Sequence, residues 1–403
     1  MTALASVPLR RIAAAIGDAA ARWCDADFPP RVRATGSIVE RTGYSIPAVE
    51  FALDALFGEL RADALLETIL RELGDMEALD APGARAYPLG RIAILSSRTT
   101  IGVAIPAMCF ALCAKNDVLI KDREDALVAA FARTLCEELE SFTSALEIAT
   151  WEGSREESRL HDVRLIVVFG NDATIARVTA EHAGQARTIG FGSRTSIGYL
   201  DATTQSKNAL LDAALAGAAR DASLYEGEGC MSLHALFFER SSACEPRELA
   251  IRFARAMESA ATEFPVGERS AANRAAMLQA RNLAAFRSAG GRGGAFCDDA
   301  LTYLLLLDPS ESEPPPFLPR TVAVLPVDSP EEIARYVERH ALPIECLGVT
   351  GTPRSYTEIA ERIGAARIAP LGEMQRPPLR AHHGGRPRIT EYVRFLDIDG
   401  DRE

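Results

Sequence analysis

From residue 91 onward the chain alternates short apolar runs with helix-patterned ones, and this rhythm restricts the fold more than any other feature. Segments 91–96, 117–120 and 165–169 read as strands, with an apolar helix at 101–114 and an amphipathic one at 124–141 between them. Strand and helix alternating at that spacing require a parallel, doubly wound sheet, whose ligands bind where strands end and helices begin. Residues 188–192 and 196–201 read as a short glycine-interrupted strand pair, followed by an Ala- and Leu-rich helix at 208–220 and a strand at 233–238. A helix at 248–261 and strands at 301–307 and 321–325 come next. The tail repeats the rhythm, with helices at 331–339 and 356–363 and strands at 346–350, 366–369 and 392–398. Residues 1–80 are helical by pattern and carry no readable chemistry; they suit an arm packed on the later sheet. The fold class expected is therefore α/β with two doubly wound domains. Its divisions are a helical segment 1–80, a first domain 81–225, a second domain 226–390, and a strand within 391–403 that completes the first domain or an oligomer interface.

The stretch joining the two domains holds the sharpest chemical signal. Asp221-Ala-Ser-Leu-Tyr-Glu-Gly-Glu-Gly-Cys230-Met places a cysteine on a turn, between a helix and an apolar strand, with Gly227 and Gly229 just before it. Glycine there permits unusual backbone angles and close approach of a substrate carbonyl to the sulfur, as a nucleophile requires. His234 falls inside the following strand, which suits packing better than proton transfer. Glu226 and Glu228 read as solvated turn carboxylates. Three further turns fall on one edge of the first sheet: Ser96-Ser97-Arg98-Thr99-Thr100, able to meet an anion at a helix start; Lys121-Asp122; and Gly170-Asn171-Asp172. No GxGxxG fingerprint accompanies them. His382-His383, beside Gly384-Gly385, reads either as the lining of a ligand channel or as a surface turn.

Composition excludes several alternatives. A net charge of -12 and a pI near 5.2 argue against nucleic acid or an anionic membrane as the main partner. The most apolar run stops at Lys115, short of the roughly 20 residues a bilayer demands, and no secretory leader pattern is present. A cytoplasmic location is expected. The eight cysteines show no CxxC pair, so free thiols are expected and a structural zinc site is not.

Across residues 85–400 the order of these motifs resembles the aldehyde dehydrogenase superfamily, and within it the LuxC-type acyl-CoA reductases. Lys121 falls where the superfamily has a lysine on the adenosine ribose. Phe169-Gly170-Asn171 falls on its turn under the cofactor, and Gly229-Cys230 on its nucleophile. Arg367-Ile-Ala-Pro-Leu-Gly372-Glu-Met and the segment from Gly384 to Asp397 are similar to the closing part of the acyl-CoA reductases. The resemblance implies Cys230 and Thr99 as catalytic residues, with Thr99 replacing the usual oxyanion asparagine beside the Cys230 N–H, Ser97 and Arg98. Ser96, Ser97, Lys121, Gly170, Asn171 and Gly192 are implied as cofactor contacts, with NADPH expected and NADH as the alternative. The stretch matching the superfamily's base-bearing Glu-Leu-Gly-Gly-Lys is Gly190-Phe-Gly192-Ser-Arg194, and no glutamate occurs between His182 and Tyr225. A thioester on Cys230 would then persist until reduced, so the activity implied is reduction of an acyl-CoA or acyl-carrier thioester to an aldehyde. Rival readings are an acyl-phosphate or semialdehyde reductase, and a weakly catalytic acyl-binding subunit. A homo-oligomer is the expected assembly.

Overall fold

Strands and helices alternate as the spacing predicts, but they build two separate sheets whose border falls earlier in the chain than expected. The computed structural model describes residues 2–80, 85–97, 100–122, 127–151, 157–291, 293–309 and 313–397. Backbone contacts divide the chain into one unit of Met1–Arg41, Val49–Ser193 and Pro378–Glu403, and another of Thr42–Ala48 and Arg194–Pro377.

The first unit opens with four helices, α1 (Leu9–Cys24), α2 (Pro29–Thr42), α3 (Ile46–Glu59) and α4 (Ala62–Leu73), most of whose residues belong to it. Then come β1 (Ala86–Pro88), β2 (Arg91–Leu95), α5 (Ala104–Cys113), β3 (Asp117–Lys121), α6 (Leu127–Glu138), α7 (Phe142–Ala145), β4 (Leu146–Ala149), β5 (Val163–Phe169), α8 (Asp172–Glu181) and β6 (Arg187–Phe191). The five-stranded sheet has the order β4-β3-β2-β5-β6 and is parallel throughout. From β2 the chain proceeds outward through β3 and β4, then returns to place β5 on the other side. The strand order therefore reverses between β2 and β5, and ligands of open α/β sheets bind outside the strand ends at such a point.

Helix α5 is apolar on every side, and of its residues only Pro106 is not buried. Pro106 lies in its first turn, where a missing N–H costs no hydrogen bond. The N-terminal helices pack as the expected arm, and Trp23 of α1 donates to Thr134 Oγ1 of α6 at 3.0 Å. The C-terminal strand β14 (Val393–Phe395) returns to this unit and pairs antiparallel with β1.

The second unit holds β7 (Thr195–Leu200), α9 (Ala202–Gln205), α10 (Asn208–Ser223), β8 (Leu233–Glu239), α11 (Pro246–Glu263), α12 (Ala271–Ala289), β9 (Gly294–Phe296), β10 (Leu304–Leu307), β11 (Thr321–Val327), α13 (Pro330–Arg339), β12 (Ile344–Val349), α14 (Thr357–Arg362) and β13 (Arg367–Pro370). Its seven strands run β13-β12-β7-β8-β11-β10-β9, all parallel except β9.

Two expectations need correction here. The supposed strand pair 188–192 and 196–201 is no pair, because β6 closes the first sheet and β7 lies inside the second. Consequently the units divide after Ser193 rather than at residue 225, and residues 378–390 fold with the first unit. The short elements β1, β4, α7, α9 and β9 were not foreseen, nor was α12, whose polar Ala-rich sequence has only Met277 buried and so lacks a strong apolar stripe.

Glycines distinguish tight from open packing. A Cβ on Gly217 of α10 would lie 2.5 Å from the Leu371 carbonyl oxygen, whereas one on Gly58 of α3 would meet nothing within 4 Å. Gly217→Ala is expected to lower stability by about 1–3 kcal/mol through overpacking against backbone. Gly58→Ala is expected to raise it by about 0.4–1 kcal/mol. Denaturant midpoints of the two variants check the opposite signs.

Candidate active site

Helix α10 ends at Ser223, and the next residues take a path that ordinary side chains avoid. Tyr225 and Glu226 have φ of 53° and 54°, and Gly227 follows with 76°. Two non-glycine residues in the left-handed region cost roughly 1–2 kcal/mol each. Gly227 earns its place by this conformation; Gly229 does not, since its φ is not positive.

What holds the strained turn is Glu226, which the sequence suggested was solvated and which is buried. Its carboxylate accepts from Arg320 at 2.5 Å, from Arg269 Nε at 3.0 Å and from the Gly267 N–H at 3.1 Å, while its carbonyl accepts from the Arg320 N–H at 2.9 Å. Both arginines are themselves buried and donate onward, Arg320 to the Phe264 carbonyl and Arg269 to those of Leu301 and Thr302. Removing Glu226 would leave two buried arginines without their anion, at about 3–5 kcal/mol, more than the turn would recover by relaxing. Glu228, by contrast, reaches the surface, and partial loss of water around its carboxyl, with the nearby Glu226 charge, raises its pKa.

A second brace comes from Asp221 of α10. It accepts from the N–H groups of Gly372 and Met374, and Gln375 Nε2 bridges the Asp221 carbonyl to Ser232 Oγ, which in turn accepts from the Gly229 N–H at 3.1 Å. Burial pushes the Asp221 carboxyl up to about 7 against those N–H donors.

Cys230 thus sits on a turn pinned from both ends, just before β8, and is partly accessible. Burial first, and then the negative Glu345, push its thiol up to about 12. The N–H groups of Cys230 and Met231 and the Arg194 guanidinium act in the opposite sense, favouring thiolate. Those two N–H groups lie close enough to lower the thiol's proton affinity and are suited to receive negative charge on an oxygen of a carbon bonded to the sulfur.

The strands beside Cys230 carry two bulges at one level. In the pairing of β7 with β8, Ser196 faces Leu233 and Ile197 faces Ala235, leaving His234 extra; against β12, Thr195 faces Ile344 and Ser196 faces Cys346, leaving Glu345 extra. The hydrophobic clusters show the same shift. Leu233 and Cys346 join the cluster under α10 and α11, while Ala235, Ile344 and Leu347 join the one under α13 and α14. Bulges of this kind re-aim side chains and recur next to active sites.

Ser196, level with both, donates to the Cys230 carbonyl at 2.8 Å and accepts from the Cys346 N–H at 3.0 Å. His234 is paired through Nδ1 with Thr195 Oγ1 at 3.2 Å, and burial pushes its imidazole down to about 4, so it is neutral near pH 7. Glu345 is buried and ion-paired with Arg194 at 3.4 Å. Its signal in the sequence was a lone carboxylate inside the apolar run 342–349.

In the first unit, the expected cofactor residues gather at the C-terminal edge of the sheet. Ser96 and Ser97 follow β2, and the Ser96 N–H donates to the Lys121 carbonyl at the end of β3. The Lys121 ammonium lies 4.8 Å from the centroid of Trp151. Gly170 follows β5, and Asn171 caps α8 by accepting from the Thr174 N–H at 2.8 Å. Gly192 follows β6; a Cβ there would lie 2.1 Å from Asp172 Oδ1, which accepts from the Ser193 N–H. Asn171 and Gly192 therefore have local structural reasons.

Gly170 differs, because its φ is not positive and a Cβ would make only ordinary contact with Thr174 at 3.7 Å. Nothing in the backbone or packing demands glycine there, and what it preserves is open space beside the strand-order reversal, as a dinucleotide approaching the sheet edge requires. The residues present thus fit such a group. His383 stacks on Phe191 at 4.3 Å and 23°, and on Phe169 at 5.5 Å, extending the same edge. Thr99 and Arg98 lie outside the described residues. Among the described residues no helix is long and apolar enough to cross a membrane.

Comparison with known proteins gives the same picture. A family model described as acyl-CoA reductase (LuxC) matches residues 4–395. No curated protein matches the sequence. Among solved structures, the chain is similar to an NAD-dependent benzaldehyde dehydrogenase from Corynebacterium glutamicum, with a TM-score of 0.67, 14% identity, and 97% of this chain and 85% of that one covered. It is also similar to a glyceraldehyde-3-phosphate dehydrogenase from Methanocaldococcus jannaschii, solved with NADP, at a TM-score of 0.67 and 11% identity, covering 98% and 90% of the two chains. A gamma-glutamyl-gamma-aminobutyraldehyde dehydrogenase from Burkholderia cenocepacia matches at 0.66 and 15%, covering 96% and 83%. The fold is that of the aldehyde dehydrogenases.

Two measurements probe the site. Alkylation of Cys230 by iodoacetamide in the free protein, read by peptide mass spectrometry, is expected to rise about tenfold per pH unit from about pH 7 to about pH 10 without a plateau, as a high thiol pKa dictates. Glu226→Gln, which leaves Arg320 and Arg269 buried without their anion, is expected to lower the unfolding free energy by about 3–5 kcal/mol, measured by denaturant titration.

Proposed function

This chain belongs to the LuxC acyl-CoA reductase family, and from that premise we propose that it reduces an acyl-CoA thioester, fatty acyl in kind, to the aldehyde through an acyl group held on Cys230. The observation that carries this reading is Cys230 itself, a partly accessible thiol on a turn braced from both ends by the Glu226 and Asp221 networks. A bound nicotinamide dinucleotide, NADPH with NADH as the alternative, supplies hydride.

The chain's own residues do the rest. Cys230 attacks the thioester carbonyl and takes the acyl group as CoA departs. The Cys230 and Met231 N–H groups favour the negative oxygen that forms on the attacked carbon, with Thr99 proposed as a further donor. Ser96, Ser97 and Gly170 at the strand-order reversal would hold the dinucleotide, with Lys121 at the neighbouring strand end. Asn171 and Gly192 shape the start of α8 beside it. His234, neutral and bonded to Thr195, contributes packing and orientation.

Cys230→Ala is expected to reduce acyl-CoA-dependent NADPH oxidation by about 10³-fold or more, as loss of a nucleophile does. Undiminished turnover removes the proposal. In parallel assays of the wild type, turnover of acyl phosphates with none of thioesters would move the reaction to the acyl-phosphate class. Stable acylation of Cys230 with no aldehyde formed on addition of NADPH would make the chain an acyl-binding subunit.

A further inference from the structure

The matching stretch of the chain lacks the superfamily's glutamate, yet the second sheet brings a different one to the nucleophile. We infer that Glu345, carried on the bulge of β12, is the group that accepts the Cys230 thiol proton during acyl transfer. This rests on the acyl-cysteine reading above and adds a catalytic residue to it.

The first support is the register. On a regular strand residue 345 would face residue 196 of β7 or its neighbour in the ladder; instead the pairing passes from Ile344 to Cys346 and leaves Glu345 as the extra residue. A bulge costs ladder hydrogen bonds and is kept where it re-aims a side chain. A glutamate is also the wrong residue for a buried strand: the flanking Ile344 and Cys346 are fully enclosed, and Glu345 is 2% exposed. Carboxylates are almost never so buried unless paired. Its recorded cation, Arg194, is 3.4 Å away, and the pair straddles the start of β7.

The second support is connectivity to the nucleophile. Ser196 Oγ links the Cys230 carbonyl at 2.8 Å to the Cys346 N–H at 3.0 Å. The residue next to Glu345 is therefore joined to the residue bearing the sulfur through one hydroxyl, which fixes the backbone of the two relative to each other. Consistent with closeness, the Glu345 charge acts on the thiol in the direction that keeps the proton on sulfur, which is the ground state of a thiol facing its base.

The third support is elimination among neighbours. His234, on the other bulge at the same level, has its Nδ1 taken by Thr195 and is pushed down to about 4 by burial, so its proton affinity is low. Asp221 already accepts two N–H bonds from Gly372 and Met374. Arg194 and Arg367 carry no basic lone pair. Glu228 is exposed and lies by Tyr44, and Glu226 is locked between two arginines.

The step balances without any redox partner. The Cys230 S–H bond breaks as the sulfur–acyl carbon bond forms, and the proton passes to the Glu345 carboxylate. The acyl carbon–sulfur bond to CoA then breaks, and the proton returns from Glu345 to the departing CoA sulfur, leaving the carboxylate as it began.

The test is the rate of Cys230 acylation by acyl-CoA without any nucleotide, followed by intact-protein mass spectrometry on the full chain. Glu345→Gln is expected to slow acylation by about 10²–10⁴-fold, the usual contribution of a general base. Glu345→Asp, which keeps the carboxylate, is expected to restore at least a tenth of the lost rate. Arg194→Gln breaks the same ion pair but leaves the carboxylate in place, and its loss is expected to stay under about tenfold, well below the general-base contribution. Equal losses in Glu345→Gln and Arg194→Gln would mean the pair is only structural and would overturn the proposal, as would unchanged acylation in Glu345→Gln. Comparing two variants that lose the same pair keeps the test valid where either is less stable. Failure of wild-type Cys230 to acylate at all would instead overturn the proposed function, so the two failures are distinct.

Discussion

The Glu226 carboxylate, clamped between Arg320 and Arg269, is the interaction on which the site depends. It holds Tyr225, Glu226 and Gly227 in a left-handed path that two of the three resist. The energy ordering is one-sided: relaxing the turn would recover a few kcal/mol of backbone strain, while orphaning a buried charge would cost about as much again or more. The arginines come from the loop after α11 and from the residue before β11, so the turn is fixed by segments roughly forty and ninety residues away. The nucleophile inherits its position from charges that never touch the substrate.

The same sheet shows how a parallel architecture is bent to chemistry. Parallel strands buried on both faces have no natural place for a charged group, and apart from His234 and Glu345 the buried positions of β7, β8 and β12 carry no ionisable group other than the Tyr199 hydroxyl and the Cys346 thiol. Two bulges flanking Ser196 supply the exceptions, admitting a histidine on one side and a glutamate on the other without turning the remaining side chains to the wrong face. Of the two, the histidine is neutral and bonded to Thr195, whereas the glutamate is ion-paired with Arg194. The first unit solves a simpler problem. Its strand order reverses between β2 and β5, Ser96, Ser97 and Gly170 follow the ends of those two strands, and the glycine there is explained by space rather than by backbone angle.

Much of this was legible in the residues. The α/β rhythm, the turn bearing Cys230 and the three turns on one edge of the first sheet are local patterns, each spelled out within about ten residues, and the structure keeps them. What failed were readings that depended on partners. Residues 188–192 and 196–201 look like neighbours because three residues separate them, yet β6 and β7 enter different sheets, and nothing local encodes that choice. Glu226 looks solvated beside two glycines, and only Arg269 and Arg320 make it a buried anchor.

The sequence by itself therefore determined the class of fold, the turn that carries Cys230 and the polar turns on one edge of the first sheet, because apolar periodicity, turn glycines and a cysteine on a turn act over short chain distances. Only the tertiary structure decided where one unit ends, that Glu226 is anchored between two arginines, and that Glu345 is buried on a bulge of β12. Those outcomes rest on strand register and on pairing across as many as 150 residues, as between Ser196 and Cys346, and a register shift of one residue is invisible until the partner strand is in place.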